Sequence, residues 1–147
     1  MKVLRVHPKD TYPIRHKILR PHGTLQDCVF QGDDDDLTFH LGAFVDNKLV
    51  SVASFYFESH EQFIAQYPHQ YRLRGMATLQ EHHGQGFSSA LLKTAFPLIK
   101  QNQCTLLWCN ARENAEGFYQ KVGFKPFGEI FDLPLIGPHR LMSIEIR

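Results

Sequence analysis

Runs of apolar and β-branched residues along the chain predict a series of β-strands. The extended runs are Lys2–Val6, Leu37–Val45, Leu49–Phe57, Tyr71–Thr78, Cys104–Asn110, Phe127–Leu133 and Arg140–Ile146. The second and third runs flank a tight Asp-Asn turn, which predicts a β-hairpin. Apolar residues occupy both faces of the run Leu49–Phe57, so we expect an inner strand of the sheet.

Apolar positions at helical spacing predict helices between these strands. The helical segments are about Tyr12–Leu19, with Asp10 and Thr11 as candidate N-caps, Gly86 to about Gln101, with a late irregularity at Pro97, and Asn114–Val122, ended by Gly123. One or two further turns are expected at Glu61–Tyr67, before Pro68. The order β-α-β-β-(α)-β-α-β-α-β-β predicts an α/β or α+β fold with a mixed sheet.

Length and charge narrow the classes of function. The 147 residues suit a single domain spanning residues 1–147. The formal net charge is +1, with 16 basic and 15 acidic side chains, so no overall field attracts nucleic acid or an anionic membrane. We expect neither as a partner. Apolar runs are shorter than a membrane span requires and the N-terminus soon turns polar, which predicts a cytoplasmic protein.

The cysteines and histidines give no sign of a metal site. Cys28, Cys104 and Cys109 form no CxxC pair and are odd in number, which favours buried, reduced thiols. The nine histidines are scattered, without HExxH or a Cys/His zinc spacing. We therefore expect no metal ion.

A glycine-containing turn lies between the strand Tyr71–Thr78 and the following helix, in the stretch EHHGQGFSSALL. Small residues there expose backbone N–H groups beside a helix N-terminus, and both favour an anion such as phosphate. The chain lacks GxxxxGK[ST], and GxGxxG fails because Ser89 takes the place of the third glycine. Alternatively, Gly84 and Gly86 only permit a positive φ at a tight corner.

A second block, ARENAEGFYQKVGF at 111–124, favours the phosphate interpretation, because the two blocks together resemble the GNAT superfamily of acyl-CoA-dependent N-acyltransferases. In that family, a Q/R-x-x-G-x-G/A turn holds the pyrophosphate of coenzyme A. HGQGFS at 83–88 occupies this turn, with His83 in place of Gln or Arg. The family pattern A-x-x-x-Y-x-x-x-G-F is matched by Ala115, Tyr119, Gly123 and Phe124.

The resemblance implies a fold, a co-substrate and a set of site residues. The fold is a mixed, mostly antiparallel sheet of six to seven strands with about four flanking helices and a splayed central strand pair. Acetyl-CoA would be bound by Met76, Ala77 and Thr78 on the strand, by His83, Gly84, Gln85, Gly86, Phe87 and Ser88 in the turn, and by Arg112 or Asn114 farther along the chain.

The implied reaction is direct attack of a primary amine on the acetyl thioester. Tyr119 would then be the general acid that protonates or hydrogen-bonds the departing thiolate of coenzyme A. The competing interpretation is a core tyrosine beside Phe118. The base that deprotonates the amine stays unassigned, with Glu58, His60, Glu61 and His139 as candidates by position.

Three further points stay open in the sequence. The run Asp33–Asp36 is either a solvated loop or an acidic rim that attracts a cationic amine, and we favour the solvated loop. The aromatic tail Phe127–Met142 is compatible with a homodimer, as in other family members. Besides an N-acetyltransferase acting on an unidentified amine, the fold could serve as a non-catalytic acyl-CoA sensor or as a purely structural domain.

Overall fold

Seven strands form one mixed sheet in the computed structural model, which describes residues 1–147. The strands are β1 (Lys2–Val6), β2 (Phe39–Val45), β3 (Lys48–Phe57), β4 (Tyr71–Thr78), β5 (Leu106–Arg112), β6 (Lys125–Leu133) and β7 (Gly137–Glu145). Their order across the sheet is β1-β2-β3-β4-β5-β7-β6. Only β4 and β5 pair in parallel, so the expected mixed, mostly antiparallel sheet is confirmed.

Three α-helices and a π-helical segment flank the sheet. They are α1 (Pro8–Ile14), continued by the π-helical segment Arg15–Leu19, α2 (Phe87–Gln101) and α3 (Glu116–Val122). Short 3-10 turns lie at Gln26–Cys28, Gln80–His82 and Glu113–Ala115. The bounds of α2 and the end of α3 at Gly123, which has φ 119°, confirm the sequence predictions.

The predicted start of the first helix is wrong. The helix begins at Pro8, and His7 takes the N-cap position expected of Asp10 or Thr11. Proline fits the first helical position because its missing N–H would have no partner there. Asp10 instead accepts a hydrogen bond from the His7 N–H at 3.1 Å, and the Thr11 hydroxyl donates to the Pro8 carbonyl at 2.6 Å.

The predicted hairpin is confirmed in β2 and β3. Asp46 and Asn47 connect the strands with φ of 50° and 65°, as a two-residue type I′ turn requires. Every β3 residue from Val50 to Tyr56 is buried, which agrees with an inner strand between β2 and β4. The first strand of the hairpin begins at Phe39 instead of Leu37.

The segment Glu61–Tyr67 forms successive turns and no helix. One backbone hydrogen bond, from the Tyr67 N–H to the Phe63 carbonyl at 2.8 Å, closes a single helix-like turn. Phe63 and Tyr67 are half-buried and the rest of the segment is exposed. Short helices depend on a buried apolar face, and this segment has too little of one to continue.

The helices cover both faces of the sheet. On one face, Phe39 stacks on Phe55 with ring centroids 4.9 Å apart, and Asn102, at the end of α2, donates to the Tyr71 hydroxyl at 2.8 Å. Arg15 donates to the hydroxyl of Ser54 at 2.8 Å. Because successive strand residues point to opposite faces, Ser54 and Phe55 place α2 and the π-helical segment on opposite sides of β3.

The remaining boundaries differ from prediction by a few positions. Cys104 precedes β5, β6 begins at Lys125, and β7 begins at Gly137 and ends at Glu145. The three cysteines are buried and free, as expected. None of the helices combines the length and the apolar character that crossing a membrane would demand.

Candidate active site

The two parallel strands at the centre of the sheet separate soon after they meet. β4 and β5 pair only at Tyr71 with Leu107 and at Arg72 with Trp108. From residue 73 to residue 78, the edge of β4 that faces β5 has no strand partner. Unpaired backbone groups of this kind need another hydrogen-bonding partner, such as a ligand. The expected splayed pair is confirmed.

A bulge at Gly75 bends β4 at the start of the gap. The pairing register between β3 and β4 shifts between Val52 and Ser54, and Gly75 has φ +65°. A Cβ atom at Gly75 would lie 3.1 Å from Nε of Arg15 and 3.2 Å from Cε2 of Phe30. Both the backbone conformation and the close approach therefore require glycine.

The gap between the strands is an open cleft of about 180 Å³. Its lining residues are Arg72–Met76 of β4, Cys109–Arg112 of β5, Ala115 and Tyr119, and, from the segments around them, Leu19, Arg20, Phe30, Leu133, Ile136 and His139. Among the residues predicted to bind the cofactor, Met76 and Arg112 line this cleft, and Ala77 and Thr78 continue β4 beyond it.

Tyr119 combines a core ring with a position on the cleft. Its side chain is 8% exposed and packs edge-on against Phe118 and Phe124, with centroid distances of 5.3 and 5.2 Å. Burial raises the pKa of Tyr119 well above the ordinary value of a phenol. The hydroxyl therefore stays protonated, and as part of the cleft wall it can donate a hydrogen bond to a ligand.

The glycine turn leads into an uncapped helix. Gly84 and Gly86 have φ of 75° and 84°, and a Cβ atom at either would have no heavy atom within 4 Å. Gly86 is the N-cap residue of α2, and no side chain caps the helix. The first backbone N–H groups of α2 are therefore free to bind an anion.

Side chains around the turn fix it to the end of β4. The ring Nε2 of His83 donates to the Thr78 carbonyl at 2.8 Å, so only its Nδ1 remains for a ligand. The Ser88 and Thr78 hydroxyls lie 3.3 Å apart, and Thr78 is 2.7 Å from the Ser51 hydroxyl. Phe87 is buried, and Gln85 is exposed.

Arg112 and Asn114 differ in their positions relative to the cleft. Arg112 lines it and donates through Nη2 to the Leu19 carbonyl at 3.3 Å. Asn114 is exposed in the 3-10 turn before α3 and lies outside the cleft lining. The geometry favours Arg112 for contact with a ligand in the cleft.

Among the candidate bases, His139 alone lines the cleft. It is 4% exposed, and its Nδ1 lies 2.8 Å from the Gly137 carbonyl oxygen, which can only accept a hydrogen bond. In the neutral ring this arrangement leaves the lone pair on Nε2. Glu58 is instead paired with Arg72 at 3.0 Å, and His60 packs edge-on against Trp108. Glu61 is exposed.

The prediction of a solvated loop at Asp33–Asp36 is wrong for Asp33. Its carboxylate is buried and bound by Arg15 at 2.8 and 3.1 Å, while Asp34, Asp35 and Asp36 are exposed. Desolvation opposes the charged carboxylate, but hydrogen bonds from Arg15, Tyr56 and the Phe30 N–H outweigh it and lower the pKa of Asp33. The acidic run therefore includes a structural anion.

A polar network surrounds this ion pair beneath the cleft. Nε2 of His40 donates to the Asp33 carbonyl at 2.9 Å, and its Nδ1 lies 2.6 Å from the Ser54 hydroxyl. Tyr56 also donates to the Asp33 carboxylate. Arg15 and Asp33 are far apart in the sequence, so no spacing pattern connects them.

No sequence motif points to three further residues of the cleft lining, Phe30, Arg74 and Asn110. A signal was present in β4, where Arg72 and Arg74 alternate with the apolar Tyr71 and Leu73. This alternation places two cations on one face of the strand.

Sequence comparison identifies the family. The model of the acetyltransferase (GNAT) family matches residues 4–124. The chain is 42% identical over 147 residues to Uncharacterized N-acetyltransferase YitI of Bacillus subtilis (strain 168), covering 100% of this chain and 97% of that protein.

Solved structures share the fold. An acetyltransferase of the GNAT family from Streptococcus pneumoniae matches with a TM-score of 0.70 and 16% identity, covering 99% of both chains. An aminoglycoside 6'-N-acetyltransferase complexed with coenzyme A matches with a TM-score of 0.72 and 11% identity, covering 100% of this chain and 98% of that one. The chain therefore belongs to the acetyltransferase (GNAT) family, whose members are transferases that use acetyl-CoA as donor.

Proposed function

We propose that this protein transfers the acetyl group of acetyl-CoA to a primary amine by direct attack, within a single catalytic domain of residues 1–147. The cleft between β4 and β5 is the observation that carries this proposal. There Tyr119 and the unpaired edge of β4 line the same cleft, and β4 leads through the glycine turn to the uncapped N-terminus of α2. One extended ligand with an anionic end fits this arrangement.

The pantetheine arm pairs with the free edge of β4 at Met76, Ala77 and Thr78, in the manner of an added strand. The pyrophosphate then lies against the turn 83–88, where the amides from Gly84 to Ser88 and the dipole of α2 favour negative charge. Arg112 approaches from β5 across the cleft.

The amine attacks the thioester carbonyl while both reactants are held side by side. A backbone N–H of β4 near Met76 stabilises the developing oxyanion, a contribution of about 3 kcal/mol in comparable sites. The sulfur then leaves, and Tyr119 donates its hydrogen bond and proton to it. Burial disfavours a thiolate as well as a phenolate, so this transfer remains feasible despite the raised pKa of Tyr119.

His139 is our choice for the base. A free alkylammonium has a pKa of about 10.4, and only the neutral amine attacks. The arginines of the cleft lower the pKa of an ammonium ion beside them, which favours loss of the proton. Nε2 of His139, with its lone pair available, then accepts that proton.

Calorimetric titration with acetyl-CoA, followed by an acceptor screen that detects free thiol, tests the proposal. We expect binding, and thiol release that depends on the amine. Hydrogen exchange should slow at residues 73–78 on binding, while the β2–β3 hairpin, already paired, serves as the internal control. Absence of binding would refute both the enzyme and the sensor, whereas binding without thiol release for any amine would favour the sensor.

We also propose that two copies form a homodimer through the edge strand β6. Phe127 and Ile130 on this strand are 45% and 44% exposed, and Leu135 in the loop after it is fully exposed. Apolar surface of this kind supports an interface. Light scattering after size-exclusion chromatography should give twice the 17.0 kDa of the chain. A monomer at all concentrations would contradict this proposal.

A further inference from the structure

The cleft between β4 and β5, here called the inner cleft, has four arginines and no carboxylate in its lining. Arg20, Arg72, Arg74 and Arg112 line it, and none of the lining residues is Asp or Glu. The whole chain has a formal net charge of only +1, so this excess is local. A site built for a cationic amine would be expected to show the opposite sign.

Arg74 differs from the other three arginines because its side chain has no hydrogen-bonding or ion-pair partner. Arg72 is paired with Glu58 at 3.0 Å. Arg20 and Arg112 donate to the Leu19 carbonyl at 3.1 and 3.3 Å. The side chain of Arg74 takes part in none of the ion pairs or hydrogen bonds of the chain, although burial lowers its pKa. A partly desolvated cation without a partner is costly, which favours an anion supplied by a ligand.

Phe30 and Tyr56 hold the guanidinium of Arg74 in place. The guanidinium carbon lies 4.4 Å from the ring centroid of Phe30 and 5.9 Å from that of Tyr56. Phe30 is fixed in turn by its N–H bond to Asp33 at 2.9 Å and by Arg15, which lies 4.1 Å from its ring centroid. Arg74 is therefore an oriented, planar donor group.

Arg74 stands where the inner cleft meets an outer pocket. That pocket is lined by Arg72 and Arg74 together with Glu58, Asp35 and Asp36, among other residues. Glu58 is already bound to Arg72, and Asp35 and Asp36 lie on the exposed loop before β2. Arg74 therefore lies between the outer pocket and the cleft in which we place the thioester.

The pyrophosphate of the cofactor is too far away to be this anion. Thr78, which is bound to the glycine turn, lies four residues beyond Arg74, or about 13 Å along a strand. Arg74 also packs on Tyr56, on the sheet face opposite α2. The anion that pairs with Arg74 is therefore expected on the acceptor molecule.

We propose that Arg74 binds a carboxylate of the acceptor, so that the substrate is an amine carrying a carboxylate group, such as a free amino acid. This inference rests on the proposed acetyltransferase function. The guanidinium matches a carboxylate with two parallel N–H···O bonds. With the carboxylate held there, the amino group of the same molecule points into the cleft, toward the acetyl group.

A panel of paired acceptors tests the proposal. Each proteinogenic amino acid is compared with its amide, with acetyl-CoA as donor and free thiol as the readout. Spermidine and phosphoethanolamine represent cationic and phosphorylated amines. We expect the best amino acid to exceed its amide in kcat/KM by about 10-fold or more, as a charge-assisted hydrogen bond provides.

Substitutions of Arg74 test whether this residue causes the preference for the amino acid over its amide. Arg74→Met keeps the stem that packs on Phe30 and removes the charge, and we expect KM for the amino acid to rise about 10- to 100-fold. The preference over the amide should disappear, and the Kd of acetyl-CoA should stay within about twofold of the unmodified protein. Arg74→Lys should restore part of the preference, because it keeps the charge and loses the planar geometry.

Arg72→Met, on the same strand face, is the matched control and should retain the preference, because Arg72 is already paired. Thermal unfolding of each variant shows that the fold is intact. A best acceptor without a carboxylate, or a preference unchanged in Arg74→Met, overturns the carboxylate proposal while acetyl transfer itself stands. Lack of acetyl-CoA binding, or of thiol release with every amine, refutes the proposed function and the carboxylate site together.

Discussion

At the scale of single residues, removal of the Tyr119 hydroxyl distinguishes a role as proton donor from a role as a core residue. The ring packs between Phe118 and Phe124, and Tyr119→Phe leaves that packing in place. We expect kcat to fall about 10- to 100-fold, because a proton donor to the leaving sulfur is lost. Binding of acetyl-CoA, followed by calorimetry, should be unchanged. Full turnover in the variant would leave Tyr119 as a core residue only.

The raised pKa of Tyr119 also determines how activity responds to base. The active form is the protonated phenol, and burial raises its pKa above the ordinary value of 10.0, so protonation persists to higher pH than in water. Loss of the Tyr119 proton should therefore cause no decline in kcat between about pH 8 and pH 10.

His139→Gln tests the base. The glutamine amide can still donate toward the Gly137 carbonyl, but no basic nitrogen remains in the cleft. We expect kcat to fall about 100-fold. The loss should shrink as pH rises, because the fraction of neutral amine grows toward its pKa of about 10.4.

Glu58→Gln and His60→Gln provide the comparison for His139, since both side chains lie outside the inner cleft. Initial rates from pH 7 to pH 10 distinguish the three variants. A loss in His139→Gln that is independent of pH would argue against the base.

At the scale of elements, two glycines have different structural roles: one adopts a left-handed backbone conformation, and the other occupies an ordinary helical position. Gly86 has φ +84° at the start of α2, whereas Gly117 lies in α3 with open space at its Cβ position. Gly86→Ala forces alanine into a left-handed conformation, at a cost of about 1–2 kcal/mol, and should shift the amides of the turn. Gly117→Ala should stabilise the protein by about 0.5 kcal/mol.

Calorimetry measures the affinity of both glycine variants for acetyl-CoA, and urea unfolding measures their stability. We expect acetyl-CoA binding to weaken about 10-fold in Gly86→Ala, which is the effect of losing about 1.4 kcal/mol, and to be unchanged in Gly117→Ala. Equal affinity in both variants would show that the turn does not hold the cofactor.

The elements themselves could be predicted where the local pattern is strong. The alternation in Tyr71–Thr78 and the helical spacing from Phe87 to Gln101 give the bounds of β4 and α2, because one face of each is buried. The start of α1 at Pro8 lies before the first apolar residue of the helical pattern, and the segment Glu61–Tyr67 has too little buried apolar surface to be helical. Local periodicity reports neither feature.

The candidate site also has a part that the sequence predicts and a part that it does not. Tyr119 and the glycine turn belong to short motifs, so the sequence alone points to them. The charge state of the cleft depends instead on which arginine meets which carboxylate, as Arg15 does with Asp33 and Arg72 with Glu58. These pairings join distant parts of the chain, and only the folded structure shows that Arg74 has no such partner.

At the scale of the whole molecule, the network around Asp33 connects the elements beneath the cleft. Arg15 of the π-helical segment, Asp33 of the following loop, His40 of β2 and Tyr56 of β3 meet there, with the Arg15 and Asp33 side chains 0% and 1% exposed. Loss of one member would leave a buried polar group without its partner, which is strongly destabilising. The same network holds Phe30, which lines the cleft, so a substitution that destabilises the network should also alter the cleft.

This network makes the free energy of unfolding depend on pH. Burial lowers the pKa of His40 below its ordinary value of 6.5, and the hydrogen bonds described above lower that of Asp33 below 3.8. In both cases the unfolded chain binds the proton more readily, so stability is complete above the unfolded pKa and is lost as pH falls toward the folded pKa. Stability should therefore decline first below about pH 6.5, through His40, and again below about pH 4, through Asp33.

Urea unfolding between pH 7.5 and pH 3.5 measures both steps of this decline. His40→Gln carries no titrating ring, so it should be less stable at neutral pH, where the bonds of the ring to Ser54 and to the Asp33 carbonyl are lost. Its free energy of unfolding should change less between pH 7 and pH 5 than that of the unmodified protein, because one proton uptake on unfolding is removed. The second step belongs to Asp33 and should persist in His40→Gln. An equal slope in the two proteins between pH 7 and pH 5 would assign the first step to other groups.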